Sequence, residues 1–556
     1  MFGAGGGTSS YREMEETDLI LLWGSNARET HPIFFHHLLA GVHNGARLYV
    51  VDPRRTSSAA WADGWLGLDV GSDIALANTM ANEILRAGLA NEAFIERATT
   101  GFEAYRDCVE RYPLERGEAE TGVPADLIAE VAHAYAKADR AQLCWTLGIT
   151  EHHNAVDNVL ALINLALLTG HVGRYGSGVN PLRGQNNVQG GGDMGAIPNK
   201  FPGFQDVEDD EVRAKFDAAW GVSIPPRYGY HLSDMFDAME RGELTAAYVI
   251  GENPCQSEAD TRRAKELLGG LEHLVVQDLF MTATAELADV VLPASATWAE
   301  AEGTVTSSER RVQRVRRALP LPGEARDDID IVCDLAHRLG HDWGRPTPME
   351  VWEEVRRLSP MHAGMSYRRL EELGGIQWPC YDESHPGELY LHSRLWLEPI
   401  MGPPAGFHVV EQEPPVDVLD DEFPIRLTTG RRLDSFNTGV QTGRYRSPMR
   451  RGETLDLSPE DGERYKVEEG EVVRVSSRRG SVEVPVRFDP GLRPGLAFMT
   501  LHHPDEVMTN VLTIDATDPK SGTAEFKASA IRVDKRPVAA AEDRAEAGLT
   551  THSVGG

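Results

Sequence analysis

Short apolar runs that stop abruptly at turn-forming residues recur along this chain and constrain its fold more than any other feature. Two of them, 19–23 and 48–51, end in Gly-Ser-Asn and Asp-Pro-Arg and enclose a helical stretch at 31–44. Two more, 247–250 and 274–276, end in Gly-Glu-Asn-Pro and Gln-Asp. Runs of this kind are typical of buried β-strands, and their alternation with helices predicts parallel sheets.

The two pairs of runs have nearly the same spacing. Gly24 lies 28 positions before Asp52, and Gly251 lies 27 positions before Asp278. An Ala-Asp pair then follows in both halves, with its Asp 11 positions after the first Asp, at residues 63 and 289. The match favours an internal duplication over coincidence.

Ligands of parallel sheets bind in the crevice beyond the carboxyl ends of the strands, so two units predict two crevices. The strand ends suit a nucleotide, because Gly allows close backbone approach, helix-start N–H groups favour phosphate, and a carboxylate can bind ribose or a purine. The same Gly, Asn and Asp residues also make ordinary turns between strands and helices. The matched repeat favours the nucleotide interpretation over turns alone.

Composition limits the partners of the chain. Its 556 residues contain 55 Lys and Arg against 86 Asp and Glu, a formal charge of −31. Nucleic acids and anionic membranes need a dense cationic surface that this balance does not supply, so we expect neither as a partner. With 41% hydrophobic and 25% charged residues the chain resembles ordinary globular proteins of about two to four domains.

Five scattered cysteines and the absence of a long apolar run indicate the compartment. No Cys-x-x-Cys pair is present, so neither a zinc finger nor an iron–sulfur cluster is expected within these residues, and the thiols suit a reducing cytosol. The longest apolar stretch, 159–168, predicts a core helix because it is too short to span a bilayer. With no signal peptide after Met1, we expect a cytoplasmic protein without a membrane span.

The pattern changes beyond residue 402. A linker at 402–422, rich in Pro and acidic residues, precedes short strands separated by Gly and Pro turns, and these predict a C-terminal β-barrel at 423–535. The tail, 536–556, is predicted to be disordered. Upstream we expect a first α/β unit with a helical insert at 1–150, an active-site loop and helical segment at 151–240, and a second α/β unit at 241–401.

The stretch 180–195 is the most informative candidate site. It reads Asn-Pro-Leu-Arg-Gly-Gln-Asn-Asn-Val-Gln-Gly-Gly-Gly-Asp-Met-Gly and is predicted to be a loop, since it is too polar and Gly-rich for a helix. Ordering such a loop costs backbone entropy, which contacts with a ligand would offset. Arg183 is its only cation and suits bidentate binding of a carboxylate or phosphate. A flexible surface loop is the alternative.

Three adjacent histidine pairs, at 36–37, 152–153 and 502–503, do not predict a metal site, because neighbouring side chains point apart. His153 stays a site candidate because it precedes the Arg183 loop. The chain has no Walker motif, His-Glu-x-x-His or Gly-x-Ser-x-Gly. Phosphoryl transfer, zinc peptidase and α/β-hydrolase chemistry therefore lose support.

The loop at 180–195, with Gly-Ile-Thr-Glu-His-His-Asn at 148–154, closely resembles the formate dehydrogenase α subunit of the molybdopterin oxidoreductase family. The resemblance continues through Tyr-Arg-Glu at 11–13, both sets of strand-end turns, Glu-Gly-Thr at 302–304 and Glu-Arg-Arg-Val-Gln at 309–313. It ends in Thr-Thr-Gly-Arg at 428–431 and covers nearly the whole chain.

The resemblance implies a molybdenum or tungsten centre held by two molybdopterin guanine dinucleotides, one in each α/β unit, and a barrel of the double-psi type. It also implies formate oxidation to carbon dioxide, with hydride transfer to a metal–sulfido group. Arg183 would hold the carboxylate, Gln185 would support the loop, and His153 is a further catalytic candidate. The candidate cofactor-binding residues are Gly24, Ser25, Asn26, Glu29, Asp52, Pro53, Arg54, Gly71, Asp73, Gly148, Gly184, Gly251, Glu252, Asn253, Gln277, Asp278, Thr282, Asp289, Thr429, Gly430, Arg431, His502, Asn510 and Lys527.

One part of the family pattern has no counterpart in this sequence. Family members carry, upstream of the segment that matches residues 1–11, an iron–sulfur domain and a catalytic Cys or selenocysteine that ligates the metal. We therefore expect no metal ligand within these residues, weak metal binding and no iron–sulfur electron relay. An iron–sulfur or flavin/NAD electron-transfer subunit is the expected partner.

Two other functions remain open at this point. The chain can be a molybdopterin oxidoreductase for a different small substrate, or a non-catalytic structural subunit of an electron-transfer complex. The presence of Arg183 and of both dinucleotide patterns weighs against the structural subunit.

Overall fold

The computed structural model describes residues 5–439 and 451–535. A five-stranded sheet forms the first α/β unit, and all of its strands are parallel. Its central strand consists of five buried residues, as expected for a strand covered on both faces. The strands lie in the order Gly64–Leu66, Arg47–Val51, Leu19–Trp23, Ala141–Trp145 and Gly178–Pro181.

Helices cover both faces of this sheet and build two hydrophobic cores, one on each side. The long apolar stretch forms helix Ala155–Thr169, which is buried in the larger core and ends at Gly170 with a φ of 73°. The other helices of this unit are Ala27–Thr30, Pro32–His43, Asp73–Arg86, Glu92–Ala98, Phe102–Val109, Leu114–Thr121, Ala125–Lys137 and Leu147–Thr150, with 3-10 turns at Tyr11–Glu15 and Ala59–Trp61.

The second α/β unit repeats the edge of the first. Its three parallel strands lie in the order Val290–Pro293, His273–Asp278 and Ala246–Ile250, which is the order of the first three strands of the larger sheet. Its helices are Leu232–Glu240, Pro254–Ser257 and Thr261–Gly269, followed by the 3-10 turn Ala285–Leu287.

The chain also contains an antiparallel sheet, two small strand pairs and further helices. The sheet contains Gly303–Thr306, Arg311–Val315 and Ile376–Gln377, with a core around Trp352 and Trp378. Two small strand pairs are Lys200–Phe201 with Gln205–Asp206, and Thr99–Thr100 with Ala405–Gly406. The helical segments are Asp210–Trp220, Asp328–Arg338, Pro348–Leu358 and Tyr367–Glu372, with 3-10 turns Pro360–His362 and Ser393–Trp396.

The C-terminal segment is a closed six-stranded barrel with its own apolar core. Five of its strands match short strands predicted from the sequence, and the sixth, Leu455–Leu457, was not predicted. The strands lie in the order Ile425–Thr429, Leu496–Met499, Leu455–Leu457, Ser481–Phe488, Val472–Ser476 and Ser529–Lys535, with helix Pro459–Tyr465 and the 3-10 turn Thr509–Val511 outside the wall.

The prediction of parallel α/β sheets followed by a barrel is confirmed. The first sheet extends to Gly178–Pro181, so it runs past the predicted boundary at residue 150. The stretch 180–195 is not a loop throughout, because it contains the short helix Val188–Asp193. The tail predicted to be disordered, 536–556, lies outside the described residues. Within the two described ranges, no helix is long and apolar enough to cross a membrane.

Candidate active site

A cavity of about 1530 Å³ lies where the two α/β units meet the barrel. Its wall includes the turns after the strands of both units, part of the Arg183 loop (residues 180–195) and the barrel segment that follows Ile425–Thr429. The cavity therefore lies beyond the carboxyl ends of the strands in both units, where parallel sheets bind their ligands.

Gly24 and Gly148 form the floor of the first crevice in close backbone contact. The carbonyl of Gly24 accepts hydrogen bonds from the Gly148 N–H at 3.2 Å and from Thr146 Oγ1 at 2.7 Å. A Cβ on Gly148 would lie 2.5 Å from the Gly24 carbonyl oxygen, and Gly24 itself has a φ of +56°. Neither position accepts a side chain without displacement of the backbone.

The second crevice repeats the turn of the first. Gly24 N–H donates to Val51 O and Gly251 N–H donates to Gln277 O, both at 2.8 Å. Both glycines also have a positive φ, +56° and +63°. The duplication predicted from residue spacing is thus present in the backbone hydrogen bonds.

Two asparagines that follow these glycines also play equivalent parts. Asn26 Oδ1 accepts from the backbone N–H and the hydroxyl of Ser58, at 3.3 and 2.9 Å. Asn253 Oδ1 accepts from the backbone N–H and the hydroxyl of Thr284, at 3.2 and 2.9 Å. In both units the amide ties the turn after the first strand to the turn after the second, which keeps the crevice in shape.

A carboxylate stands at the end of the second strand in each unit. Asp52 Oδ1 accepts from the N–H of Arg54 at 2.9 Å, and burial raises the pKa of Asp52 to about 6. Asp278 Oδ1 accepts from the N–H of Leu279 at 2.6 Å, and burial raises the pKa of Asp278 as well. Both carboxylates line the cavity.

The later Asp of each repeat has a structural use. Asp63 Oδ2 accepts from Leu48 N–H at 2.8 Å, and Asp289 Oδ2 accepts from Leu274 N–H at 2.7 Å. Each carboxylate thereby fixes the start of a strand, at the opposite end from the cavity. Asp289 is accordingly not among the residues that line the cavity.

The barrel contributes cations to the cavity wall. Lys527 Nζ donates to Thr429 O at 3.1 Å and pairs with the Glu151 carboxylate at 2.6 Å. Arg431 Nη1 donates to Thr30 O at 3.2 Å across the interface with the first unit. Arg54, from the first unit, lies 3.6 Å above the centre of the Phe498 ring of the barrel.

Arg183 is held within its loop by neutral groups. Its Nε donates to Gln189 Oε1 at 2.6 Å, and its Nη2 donates to Gly5 O at 2.9 Å. Within the described ranges Nη1 makes no hydrogen bond and no carboxylate lies within 4.0 Å of the guanidinium. Burial lowers the pKa of Arg183. The result is a half-buried cation at the cavity wall without an ion pair among the described residues.

Most of the predicted site residues meet at this cavity. Six do not line it, namely Ser25, Glu29, His153, Gln277, Asp289 and Asn510. Those that line it are Gly24, Asn26, Asp52, Pro53, Arg54, Gly71, Asp73, Gly148, Arg183, Gly184, Gln185, Gly251, Glu252, Asn253, Asp278, Thr282, Thr429, Gly430, Arg431, His502 and Lys527.

Several of the six are used for structural contacts. Asn510 Nδ2 donates to Ser257 O at 3.1 Å, which joins the barrel to the second unit. The backbone N–H of His153 donates to Glu525 at 3.0 Å, away from the Arg183 loop. The side chain against Arg183 is Gln189 and not Gln185, since Gln185 contributes its backbone carbonyl to Val188 N–H.

Three lining histidines, His31, His152 and His392, escaped prediction from sequence. His31 lies beside Gly184, and its buried Nε2 has no hydrogen-bond partner in the part of the chain described. Burial lowers the pKa of His31 to about 4, so the ring is neutral at pH 7. His152 is buried between Gly148 O and Glu525. The position of His31, at the N-terminus of helix Pro32–His43, was the available signal.

These residues fit an extended anionic cofactor. The glycine pair lets the turns after two strands meet at the cavity floor, a neutral histidine has an unused ring nitrogen, and Arg54, Arg431 and Lys527 supply positive charge. Among the described residues, no group of three or more His, Cys, Asp and Glu side chains could hold a metal ion.

Two repeated α/β units and a barrel around a large cavity define a class of protein with room for an extended ligand between its parts. Residues 4–338 match the family described as molybdopterin oxidoreductase, and residues 425–530 match the "Molydopterin dinucleotide binding domain". The chain belongs to the molybdopterin oxidoreductase family.

Several relatives are named as formate dehydrogenases. The chain is 40% identical to "F420-dependent formate dehydrogenase 2 subunit alpha" of Methanococcus maripaludis, with 96% of this chain and 79% of the relative covered. It is 36% identical to "Formate dehydrogenase H" of Escherichia coli, with 96% and 75% covered. Acetylene hydratase from Pelobacter acetylenicus shares the fold, with a TM-score of 0.72 at 19% identity over 95% of this chain and 79% of that one.

Proposed function

We propose that this chain is the cofactor-holding and substrate-binding part of a formate dehydrogenase that oxidises formate to carbon dioxide. Arg183 carries this proposal. A half-buried guanidinium that lacks an ion pair among the described residues and faces a cavity provides a site for a small carboxylate. Both relatives described above are named as formate dehydrogenases, which supports the same substrate.

The environment of Arg183 suits orientation of the substrate. Its Nε and Nη2 are anchored by Gln189 and Gly5, so the guanidinium plane is fixed before a ligand arrives. A planar carboxylate that meets a fixed guanidinium has little freedom left, and the C–H bond then points in a set direction. Because the guanidinium is partly shielded from solvent, the attraction between the two charges is stronger than in water.

Two pterin guanine dinucleotides would bind in the two crevices. In the first, Gly24, Gly148 and Asp52 would contact one dinucleotide, with Arg431 and Lys527 of the barrel facing its charge. In the second, Gly251 and Asp278 are the equivalent contacts. When bound, the molybdenum or tungsten cofactor supplies the acceptor for the hydride that formate loses.

Electrons must leave the site after formate is oxidised. We propose an iron–sulfur or flavin/NAD subunit as the recipient, in the cytoplasm. Purification of the chain with its native partners and identification of their cofactors by absorption spectra and metal analysis tests this. A complex without any redox-active partner would overturn the partner proposal and leave the substrate proposal unaffected.

Substitution of Arg183 by Lys tests the proposed substrate. Lys keeps the charge but cannot make the planar, bidentate contact, and a charge-assisted hydrogen bond contributes about 1.5–3 kcal/mol. We expect kcat/KM for formate to fall about 10- to 100-fold in the holoenzyme, at about 1.4 kcal/mol for each factor of ten, with most of the change in KM.

The control is Arg357→Lys, a substitution of an exposed arginine on helix Pro348–Leu358 that is 68% accessible. It should leave formate turnover and cofactor content unchanged. Metal and guanine nucleotide content of both variants should equal those of the wild type. If Arg183→Lys retains wild-type KM with a full cofactor complement, formate does not bind at Arg183 and the proposal is wrong.

A further inference from the structure

We infer that Asp193 is a positioning residue that sets the orientation of the Arg183 guanidinium through the side chain of Gln189. This inference rests on the proposed function, in which Arg183 binds the substrate carboxylate. Neither Asp193 nor Gln189 lines the cavity, so their effect on the substrate is indirect. The contacts form a chain of buried hydrogen bonds behind the cavity wall.

Gln189 is the first link. Its side chain is buried, and its Oε1 accepts the hydrogen bond from Arg183 Nε at 2.6 Å. The Gly5 carbonyl accepts from both Arg183 Nη2 at 2.9 Å and Gln189 Nε2 at 3.2 Å. One edge of the guanidinium is therefore held by an amide oxygen and a backbone oxygen, and both are neutral acceptors.

The amide of Gln189 can serve Arg183 in only one orientation. Its Nε2 must face Asp193 and its Oε1 must face Arg183, because a rotation of the amide by 180° would bring an N–H group against the guanidinium N–H. The same rotation would bring Oε1 against the Asp193 carboxylate. Asp193 Oδ1 accepts from Gln189 Nε2 at 2.8 Å and thereby selects the orientation that Arg183 requires.

Asp193 is itself anchored from the other side. Its Oδ2 accepts from the indole N–H of Trp378 at 2.8 Å, and both residues are almost fully buried. Arg310 lies 5.3 Å from the centre of the Trp378 ring and donates through Nε to Gly7 O at 2.7 Å. The carboxylate is thus fixed by two N–H donors, and no salt bridge to it occurs among the described residues.

The placement also explains why helix Val188–Asp193 forms in a sequence with three consecutive glycines. Gln189 and Asp193 are four positions apart and face the same side of the helix. Their mutual hydrogen bond and the Trp378 contact stabilise a helix that Gly residues disfavour. The helix orients the pair toward Arg183, which precedes it in the chain.

Protonation of Asp193 should weaken the arrangement. Burial raises the pKa of Asp193 to about 6, although Gln189, Trp378, Arg183 and Arg310 all favour the charged form. A protonated carboxyl has a hydroxyl that needs an acceptor, and rotation of the Gln189 amide would supply one. Below pH 6 we therefore expect KM for formate to rise while Arg183 stays charged.

The test compares Asp193→Asn with Asp210→Asn in the holoenzyme. Asp210 is an exposed residue on helix Asp210–Trp220, with 90% of its side chain accessible, and its substitution makes the same change of charge. For Asp193→Asn we expect KM for formate to rise about tenfold or more with a smaller change in kcat, since misplacement of a binding group by about 1 Å has effects of this size. The rise of KM below pH 6 should also disappear, and Asp210→Asn should behave as the wild type.

A double-mutant cycle separates positioning from a general structural role. If Asp193 acts through Arg183, the variant Arg183→Lys/Asp193→Asn should have nearly the KM of Arg183→Lys alone, whereas independent effects would multiply. Multiplied effects, or an unchanged KM and pH profile in Asp193→Asn, would overturn the inference while leaving formate as the substrate.

A crystal structure of Asp193→Asn tests whether Asp193 positions Arg183, even if Arg183→Lys has no effect on turnover. The inference requires the hydrogen bond between Arg183 Nε and Gln189 Oε1 to be lost or lengthened beyond 3.5 Å in a variant that otherwise keeps its fold. Retention of that hydrogen bond at its present length would overturn it.

Discussion

Glu525 is a fully buried carboxylate of the barrel that contacts two consecutive histidines of the first α/β unit. Its Oε2 accepts from His152 Nδ1 at 3.3 Å and from His153 N–H at 3.0 Å, and its Oε1 accepts from Lys527 N–H at 2.8 Å. His152 Nε2 lies 3.1 Å from Gly148 O. Because both ring nitrogens of His152 face acceptors, the ring satisfies both only when it is protonated.

The ionisation of the two groups is coupled. Burial alone would raise the pKa of Glu525, but His152 and the hydrogen bonds to both histidines lower it far below its usual range. Burial alone would lower the pKa of His152, but the charge of Glu525 raises it above its ordinary 6.5. At pH 6 to 7 the pair is therefore a buried ion pair across the interface between barrel and body.

Substitution of Glu525 by Gln perturbs this pair with little change of volume. The new amide keeps one acceptor for Lys527 N–H but places an N–H group against His153 N–H, so one buried donor loses its partner. His152 can release its proton and accept from the amide, which limits the loss. A buried unsatisfied donor costs about 1–3 kcal/mol, and with the lost charge-assisted bond we expect destabilisation of about 2–3 kcal/mol.

The effect should depend on pH in a defined way. The raised pKa of His152 contributes stability that is complete below its unfolded value of 6.5 and is lost as pH rises through the folded pKa. The lowered pKa of Glu525 contributes stability that is present above its ordinary 4.5 and is lost as pH falls toward the folded pKa. The difference between wild type and variant should thus be largest near pH 6 and should shrink by pH 9.

Hydrogen exchange of peptides that cover residues 148–158 and 515–530 measures the opening of this interface locally. A loss of 2–3 kcal/mol corresponds to exchange about 30- to 150-fold faster, at about 1.4 kcal/mol for each factor of ten. Glu460→Gln, on the exposed face of helix Pro459–Tyr465, is the matched control. Exchange that is equal in the two variants, or a difference that does not change between pH 6 and 9, would refute this reasoning.

Two further predictions concern the crevices. Gly148→Ala should lower both the midpoint of thermal unfolding and the cofactor content, because its Cβ would lie 2.5 Å from Gly24 O. A stable variant with a normal cofactor content would contradict the close approach of the two glycines. Asp52→Asn and Asp278→Asn should each lower the guanine nucleotide released on denaturation by up to about half, with additive effects in the double variant, since distant independent sites add. Loss of all nucleotide from either single variant would contradict two separate binding positions.

Prediction from sequence succeeded where local pattern is enough. The apolar run at 19–23 coincides with a strand, since a strand buried on both faces needs uninterrupted apolar residues and a turn to end it. The matching turns at Gly24 and Gly251 were predicted from residue spacing alone. Both turns need a positive φ, and glycine is the residue that adopts a positive φ most readily.

Prediction failed where a contact joins distant parts of the chain. Helix Val188–Asp193 has a sequence that disfavours a helix, and it depends on Trp378, which follows the strand Ile376–Gln377. Gln189 rather than Gln185 supports Arg183, which no pattern of adjacent residues distinguishes. Asp289 was predicted to bind the cofactor but fixes the start of a strand, as Asp63 does in the first unit.

The sequence by itself determined the two α/β units, the barrel and the presence of one arginine in an unusual loop. Only the tertiary structure decided which groups meet that arginine and which carboxylates face the cavity. The physical reason is that the interactions involved join residues at different distances along the chain. Strand and turn formation depend on neighbouring residues, whereas the burial and orientation of a polar side chain depend on partners such as Gly5 and Arg183, which the fold alone brings together.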